Sequence, residues 1–299
     1  MNIVIGTRGS RLALWQTDYI GGLLRGKHGI NYEKIVIKTK GDKITDVPLA
    51  RIGGKGIFVK ELDDAVLEGT VDFAVHSMKD VPVDLPEGLM VAAVPEREEA
   101  NDALISGYAL DELPKGAVIG SSSLRRIAQA KHYRPDIAVK DLRGNVDTRL
   151  KKLSEGQFDA IIMAKAGLKR LGFERYIKET LPLDIFTPTV GQGAIAVVAR
   201  ADSTLLGVLE SINHELTLKR VAAERSLLRG VGGGCQIPLG ADSKIEGSEV
   251  LLKGVMLSQD GKKKITAEAK GIDPEKVGEE VSVKLLKMGG KELLTGINL

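Results

Sequence analysis

At 299 residues and 32.1 kDa the chain is larger than one compact core comfortably serves, so two or three domains are expected. Its 43% apolar and 28% charged residues, with 35 glycines against 10 prolines, exclude a disordered or fibrous protein. The balance of 43 basic and 40 acidic residues argues against nucleic-acid binding, and a lone cysteine excludes a disulfide framework or a Cys-rich metal site.

The first residues, MNIVIGTRGSRLALWQ, carry Arg8 and Arg11 where a signal peptide needs an unbroken apolar run, so a cytoplasmic protein is expected. NIVIGT reads as a strand and Leu12–Arg25 as the helix after it. EKIVIKT is the next strand, followed by a loop over Gly41–Gly56 and a helix in IFVKELDDAVLEG. VDFAVHS alternates Val71, Phe73 and Val75 inward, and LMVAAVP reads as a buried strand. The charged stretch EREEAND lacks periodicity and reads as a crossing between lobes.

A second unit repeats the alternation. AVIGSSS leads into LRRIAQAKHY, IAVKDLRG into NVDTRLKKLSEG, and FDAIIMA into KAGLKRLGF. FTPTVGQGAIAVVAR reads as a strand returning to the first lobe; its uncharged run is broken by Pro188, Gly191 and Gly193 and is too short to span a bilayer. A helix over Glu210–Arg229 ends at the glycines before Cys235. SEVLLKGVMLSQDGKKKITAEAKG then resembles antiparallel strands around a QDG turn, with a helix over Pro274–Met288. Strands alternating with helices give an α/β fold, and the last part a small α+β domain.

Basic residues recur where strands end: Arg8 after the first, Arg125 and Arg126 after GSSS, Arg143 and Arg149 around LRGN, and Lys165, Lys169 and Arg170 after FDAIIMA. Ligands of open α/β sheets bind outside the carboxyl ends of strands, where helix N-termini add partial positive charge. Any one arginine there reads equally well as solvated surface, but the recurrence points to a polyanionic ligand bearing phosphates or carboxylates. HSMKD puts Asp80 at such an end, as a turn or cap residue or as a carboxylate facing the cations. GGKGIF lacks P-loop spacing and reads as a lid with glycine hinges. The four histidines show no metal spacing, so no metal is expected. Cys235, in GVGGGCQIPLG, is either a small buried hydrophobe or an accessible thiol whose neighbours do nothing to activate it.

TRGSRLAL, GGKGIFVKELDDAV, AVHSMKDVP, GSSSLRR, LRGNVDTRL, AGLKRLG, VGQGA and GGGCQIPLG together resemble the porphobilinogen deaminase (hydroxymethylbilane synthase) family, in order from Ile3 to about Gly240. The resemblance implies two lobes like the type II periplasmic binding proteins plus the small C-terminal α+β domain, at residues 1–95 with 191–212, 96–190 and 213–299. It implies a transferase that joins four porphobilinogens head to tail into hydroxymethylbilane, releasing ammonia, on a dipyrromethane primer held by Cys235. Asp80 matches the catalytic carboxylate. Ser77, Lys79, Ser122, Arg125, Arg126, Arg143 and Asn145 match cofactor-binding positions; Arg8, Ser10, Lys55, Arg149, Arg170 and Gln192 match substrate-binding ones. Arg11 stands where the family often has proline, and Arg51 where lysine is common. A monomer without nucleic-acid or membrane partners is expected. Two other readings stay open: a non-enzymatic anion-binding protein, and a thiol-dependent transferase acting on a phosphorylated substrate.

Overall fold

The computed structural model describes residues 2–43, 58–232 and 237–294; Arg51, Lys55 and Cys235 lie outside them. The described residues form two compact units. One contains the residues up to Glu98 plus Gly193–Leu218, the other Glu99–Gln192 plus the residues from Lys219 on.

The first unit is built on a five-stranded sheet of β1 (Asn2–Thr7), β2 (Asn31–Val36), β3 (Phe73–Ser77), β4 (Leu89–Ala93) and the later β10 (Ile195–Arg200), in the order β2-β1-β3-β10-β4. β1 pairs in parallel with β2 and β3, while β10 runs antiparallel between β3 and β4. Helix α1 (Arg11–His28) starts one residue before the expected Leu12, because Ser10 caps it by accepting from Ala13 N at 3.2 Å. Its Ile20 and Leu24 enter a core with Ile3, Ile5, Phe73 and Val197. A short helix α2 (Lys40–Lys43) precedes α3 (Lys60–Leu67). The sequence alternation put only every second residue of β3 inward. In the structure Phe73, Ala74, Val75 and His76 are all buried, as in a sheet covered on both faces.

One buried group on α3 is costly. Asp63 is 3% exposed and its Oδ1 has no hydrogen-bond partner. Burial, helped by the charge of Asp64, raises its carboxyl to about 7. A raised carboxyl favours folding in its protonated form, so this contribution is intact below about pH 4 and is lost as the pH rises through 7. Asp63→Asn is therefore expected to stabilise the protein by on the order of 2 kcal/mol at pH 8 and to change little at pH 4, below the window. Thermal melts at the two pH values check this; equal effects at both would contradict it.

The second unit repeats the sheet. β5 (Asp102–Ser106), β6 (Val118–Gly120), β7 (Ala138–Lys140), β8 (Ala160–Ala164) and β9 (Glu179–Thr180) take the order β7-β6-β8-β5-β9. β6 is parallel to β7 and β8, and β5 lies antiparallel between β8 and β9, the place β10 holds in the first sheet. The two lobes thus share one topology, with the strand that enters from the other lobe always next to the edge. The sequence pattern does not mark β5, because Asp102 closes the charged EREEAND stretch and the apolar run after it is short. Helices α4 (Leu124–Tyr133), α5 (Val146–Ser154) and α6 (Lys165–Arg170) follow the three parallel strands.

The helix expected over Glu210–Arg229 is α8 (Glu215–Gly230); a short α7 (Leu206–Glu210) precedes it, and Asn213 between them accepts from Val94 N through its side chain at 2.7 Å. The C-terminal part is an antiparallel sheet of β11 (Leu239–Glu246), β12 (Glu249–Leu257) and β13 (Lys264–Gly271) backed by α9 (Pro274–Leu285). Leu227, Leu252, Val281 and Leu285 form its core. Asp273 caps α9, and Pro274 follows at its first position, where the missing N–H costs nothing. This small sheet-and-helix domain stands apart from both lobe sheets in topology.

Candidate active site

In the first unit the site residues follow the carboxyl ends of β1 and β3, which are parallel neighbours. Arg8 leaves β1 and lies with its guanidinium carbon 4.4 Å from the centroid of the Phe58 ring, a cation–π contact that orients it. Ser10 uses its oxygen to cap α1, so its hydroxyl proton stays available as a donor. Ser77, at the end of β3, accepts from the buried Gln16 amide at 2.9 Å. A single 3₁₀ turn, Met78–Asp80, comes next. It is pinned by buried Met78, whose N–H donates to Ala194 O at 3.0 Å, and by Val81 N donating to Met78 O at 3.1 Å. Lys79 and Asp80 project half-buried from this turn. His76 is buried one position before Ser77; burial and then the charge of Arg8 lower its imidazole to about 4, so it is neutral near pH 7.

In the second unit the residues follow β6, β7 and β8, again at one carboxyl edge. Ser121, Ser122 and Ser123 lead into α4, which Ser123 caps; Ser122 is half-buried beside that helix N-terminus. Gly144 turns the chain with φ 118°, a conformation that excludes a side chain, and Asn145 then caps α5 by accepting from Thr148 N at 2.9 Å. Arg149, one turn into α5, donates from Nε to Gly144 O at 2.8 Å, which holds its guanidinium beside the loop that bears Arg143. Arg143 and Arg170 are half-buried; Lys165 is paired with Glu99 at 2.7 Å.

Arg125 and Arg126 differ from the rest, being only 3% and 6% exposed. Both bind Asp102, the buried first residue of β5: Arg125 Nη2 lies 2.8 Å from Oδ2, and Arg126 donates to Oδ1 from Nε at 3.1 Å and Nη2 at 2.8 Å. Arg125 Nη1 also donates to Thr187 O at 2.6 Å. Gln192 is fully buried, donating to Asp102 Oδ1 at 2.8 Å and to Ala100 O at 2.6 Å. Burial alone would raise the Asp102 carboxyl, but the charges of Arg125 and Arg126, with hydrogen bonds from Arg126 and Gln192, hold it at about 2. Removing one partner of a buried ion pair costs about 3–5 kcal/mol. Asp102 is the member of this cluster that the sequence does not single out; its one signal is an acid directly ahead of the short apolar run Ala103–Ile105.

The donor set suits a ligand with several carboxylates. Two cations share one anion in the Arg–Asp–Arg cluster, leaving an excess positive charge in a buried place, and Arg125 Nε has no acceptor there. Such a group is stabilised by one more carboxylate. Cys235 sits, in sequence, between the end of α8 at Gly230 and the start of β11 at Leu239. Among the described residues no group of His, Cys, Asp and Glu could hold a metal ion, and no helix is long and apolar enough to cross a membrane.

Comparison with known proteins joins these features. Residues 3–207 match the family model "Porphobilinogen deaminase, dipyromethane cofactor binding domain", and residues 218–287 match "Porphobilinogen deaminase, C-terminal domain". The porphobilinogen deaminase of Desulforamulus reducens is 49% identical over 98% of this chain and 96% of its own. That of Carboxydothermus hydrogenoformans is 49% identical over 99% and 97%. Among solved structures, the second substrate binding domain of a putative amino acid ABC transporter from Streptococcus pneumoniae aligns over 74% of this chain and 96% of that one. It is 14% identical with a TM-score of 0.47, too loose a likeness to build on. With both family models matched in order and near-half identity over almost the full length, the chain belongs to the porphobilinogen deaminase family.

Proposed function

We propose that the protein is a transferase that joins four porphobilinogen molecules head to tail into the linear tetrapyrrole hydroxymethylbilane, releasing one ammonia at each addition. The family match carries the activity, and the recurrence of cationic residues at the carboxyl edge of both lobe sheets supports the division of labour among residues. The dipyrromethane group, attached through Cys235, supplies when bound a free pyrrole carbon from which the product is extended. Arg125, Arg126, Arg143, Lys79, Ser77, Ser122 and Asn145 would hold it, because its acetate and propionate groups need fixed donors.

Arg8, Ser10, Arg149 and Arg170 bind the acetate and propionate of incoming porphobilinogen, with Lys55 adding a charge from outside the described residues. Arg guanidiniums suit this task because they stay ionised and grip carboxylates through two parallel N–H donors. Asp80 delivers a proton to the amine that leaves porphobilinogen, then stabilises the electron-poor pyrrole left behind. It also takes up the proton lost once the new carbon–carbon bond has formed. His76, held neutral, adds no charge beside it. Gln192, fully buried, acts through Arg126, whose Nη2 donates to its Oε1 at 3.2 Å. We further propose the three-domain division at 1–95 with 191–212, 96–190 and 213–299, and a cytoplasmic monomer. Supplied with porphobilinogen, purified protein is expected to release one ammonia per molecule consumed and to yield a product of four pyrroles. A product of one or two pyrroles, or consumption without ammonia, would overturn this function.

A further inference from the structure

Arg125 and Arg126 stand in the first turn of α4, where the helix's positive end and their own like charges oppose crowding two guanidiniums. Asp102 answers both at once, one oxygen for each arginine, and Gln192 donates to Oδ1, the oxygen it shares with Arg126. Through Thr187 the cluster also adjoins strand β11. The Thr187 carbonyl that accepts from Arg125 belongs to a residue lying against Gly240, where a Cβ would come within 2.9 Å of that same oxygen. Gly240 is in β11, shortly after Cys235 in sequence.

We propose that Asp102, supported by Gln192, is a positioning residue for the dipyrromethane group. It holds the two guanidiniums apart and aimed, so that a ligand carboxylate meets donors already in place and completes the charge of the cluster. Pre-oriented donors bind at lower cost than donors that must first be ordered. Asp102 itself touches the arginines and not the ligand. The inference rests on the reading of Arg125 and Arg126 as cofactor ligands.

The test is the fraction of purified chains carrying the covalent group, measured by intact mass, beside the melting temperature. Asp102→Asn keeps the shape and removes the charge; its cofactor-bearing fraction is expected to fall at least fivefold. Leu104→Ala, in the same strand and fully buried, serves as control: it should lower the melting temperature and keep its cofactor. If Asp102→Asn does not fold, Gln192→Leu takes its place with an expected fall of at least twofold. Full cofactor content in the variant tested, or an equal loss in Leu104→Ala, overturns the proposal. Arg125→Gln/Arg126→Gln separates the two ideas. If it keeps its cofactor, the assignment of the arginines fails and the proposal with it. If it loses cofactor while Asp102→Asn keeps it, the positioning role alone fails.

Discussion

Asp80→Ala is expected to lower turnover by about 10²–10⁴-fold, the range in which positioned acid–base groups contribute, with the fold intact. The side chain is half-buried on a turn whose backbone bonds run through Met78 and Val81, not through the carboxylate, so nothing structural is removed with it. Asp80→Glu keeps the acid but displaces it by one methylene, and trace activity is expected. A single carboxylate that serves both the departing amine and the final deprotonation explains why its loss should be so severe. Steady-state rates with porphobilinogen, at matched circular dichroism, decide the point. Substantial turnover by Asp80→Ala would remove it from the mechanism.

The site was legible in sequence where it is local. Arg8, Ser10, Lys79, Asp80, Asn145 and Arg149 lie within a few residues of a strand end, and a strand followed by a cap or a basic residue can be read along the chain. The parallel order of β1, β2 and β3, and of β6, β7 and β8, then brings those ends to one edge of each sheet, as alternating strands and helices led one to expect. What was not legible is what depends on partners far apart in the chain. Arg125 and Arg126 look like two exposed cations after GSSS. Only the pairing of β5 with β8 buries Asp102 beneath them and turns them into a shared cluster. Gln192 looked like a contact for substrate in VGQGA, yet its amide bonds to Ala100 and Asp102, about ninety residues earlier. The strand shifts have the same origin. EKIVIKT suggested Glu33–Thr39, but pairing with β1 sets the strand at Asn31–Val36, since hydrogen-bond register and not composition fixes where a strand stops. β11 was missed because its residues alternate weakly, and the full ladder with β12 defines it.

The second large effect concerns Cys235. The thiol is the one side chain in the sequence suited to a stable thioether, because sulfur is far more nucleophilic near neutral pH than a serine hydroxyl. Its neighbours are glycines, which leave room for a bulky group and do not activate the sulfur for repeated turnover. Cys235→Ser is therefore expected to fold and yet to lack the covalent group, with turnover near background. A Cys235→Ser protein carrying the normal group at another residue would refute the attachment site.

The intact mass of the wild-type protein, set beside that of Cys235→Ser, tests the central claim most directly. The account predicts that wild-type chains exceed the mass of their sequence by one covalent dipyrromethane, and that the variant does not. Active wild-type protein at the unmodified sequence mass would contradict it.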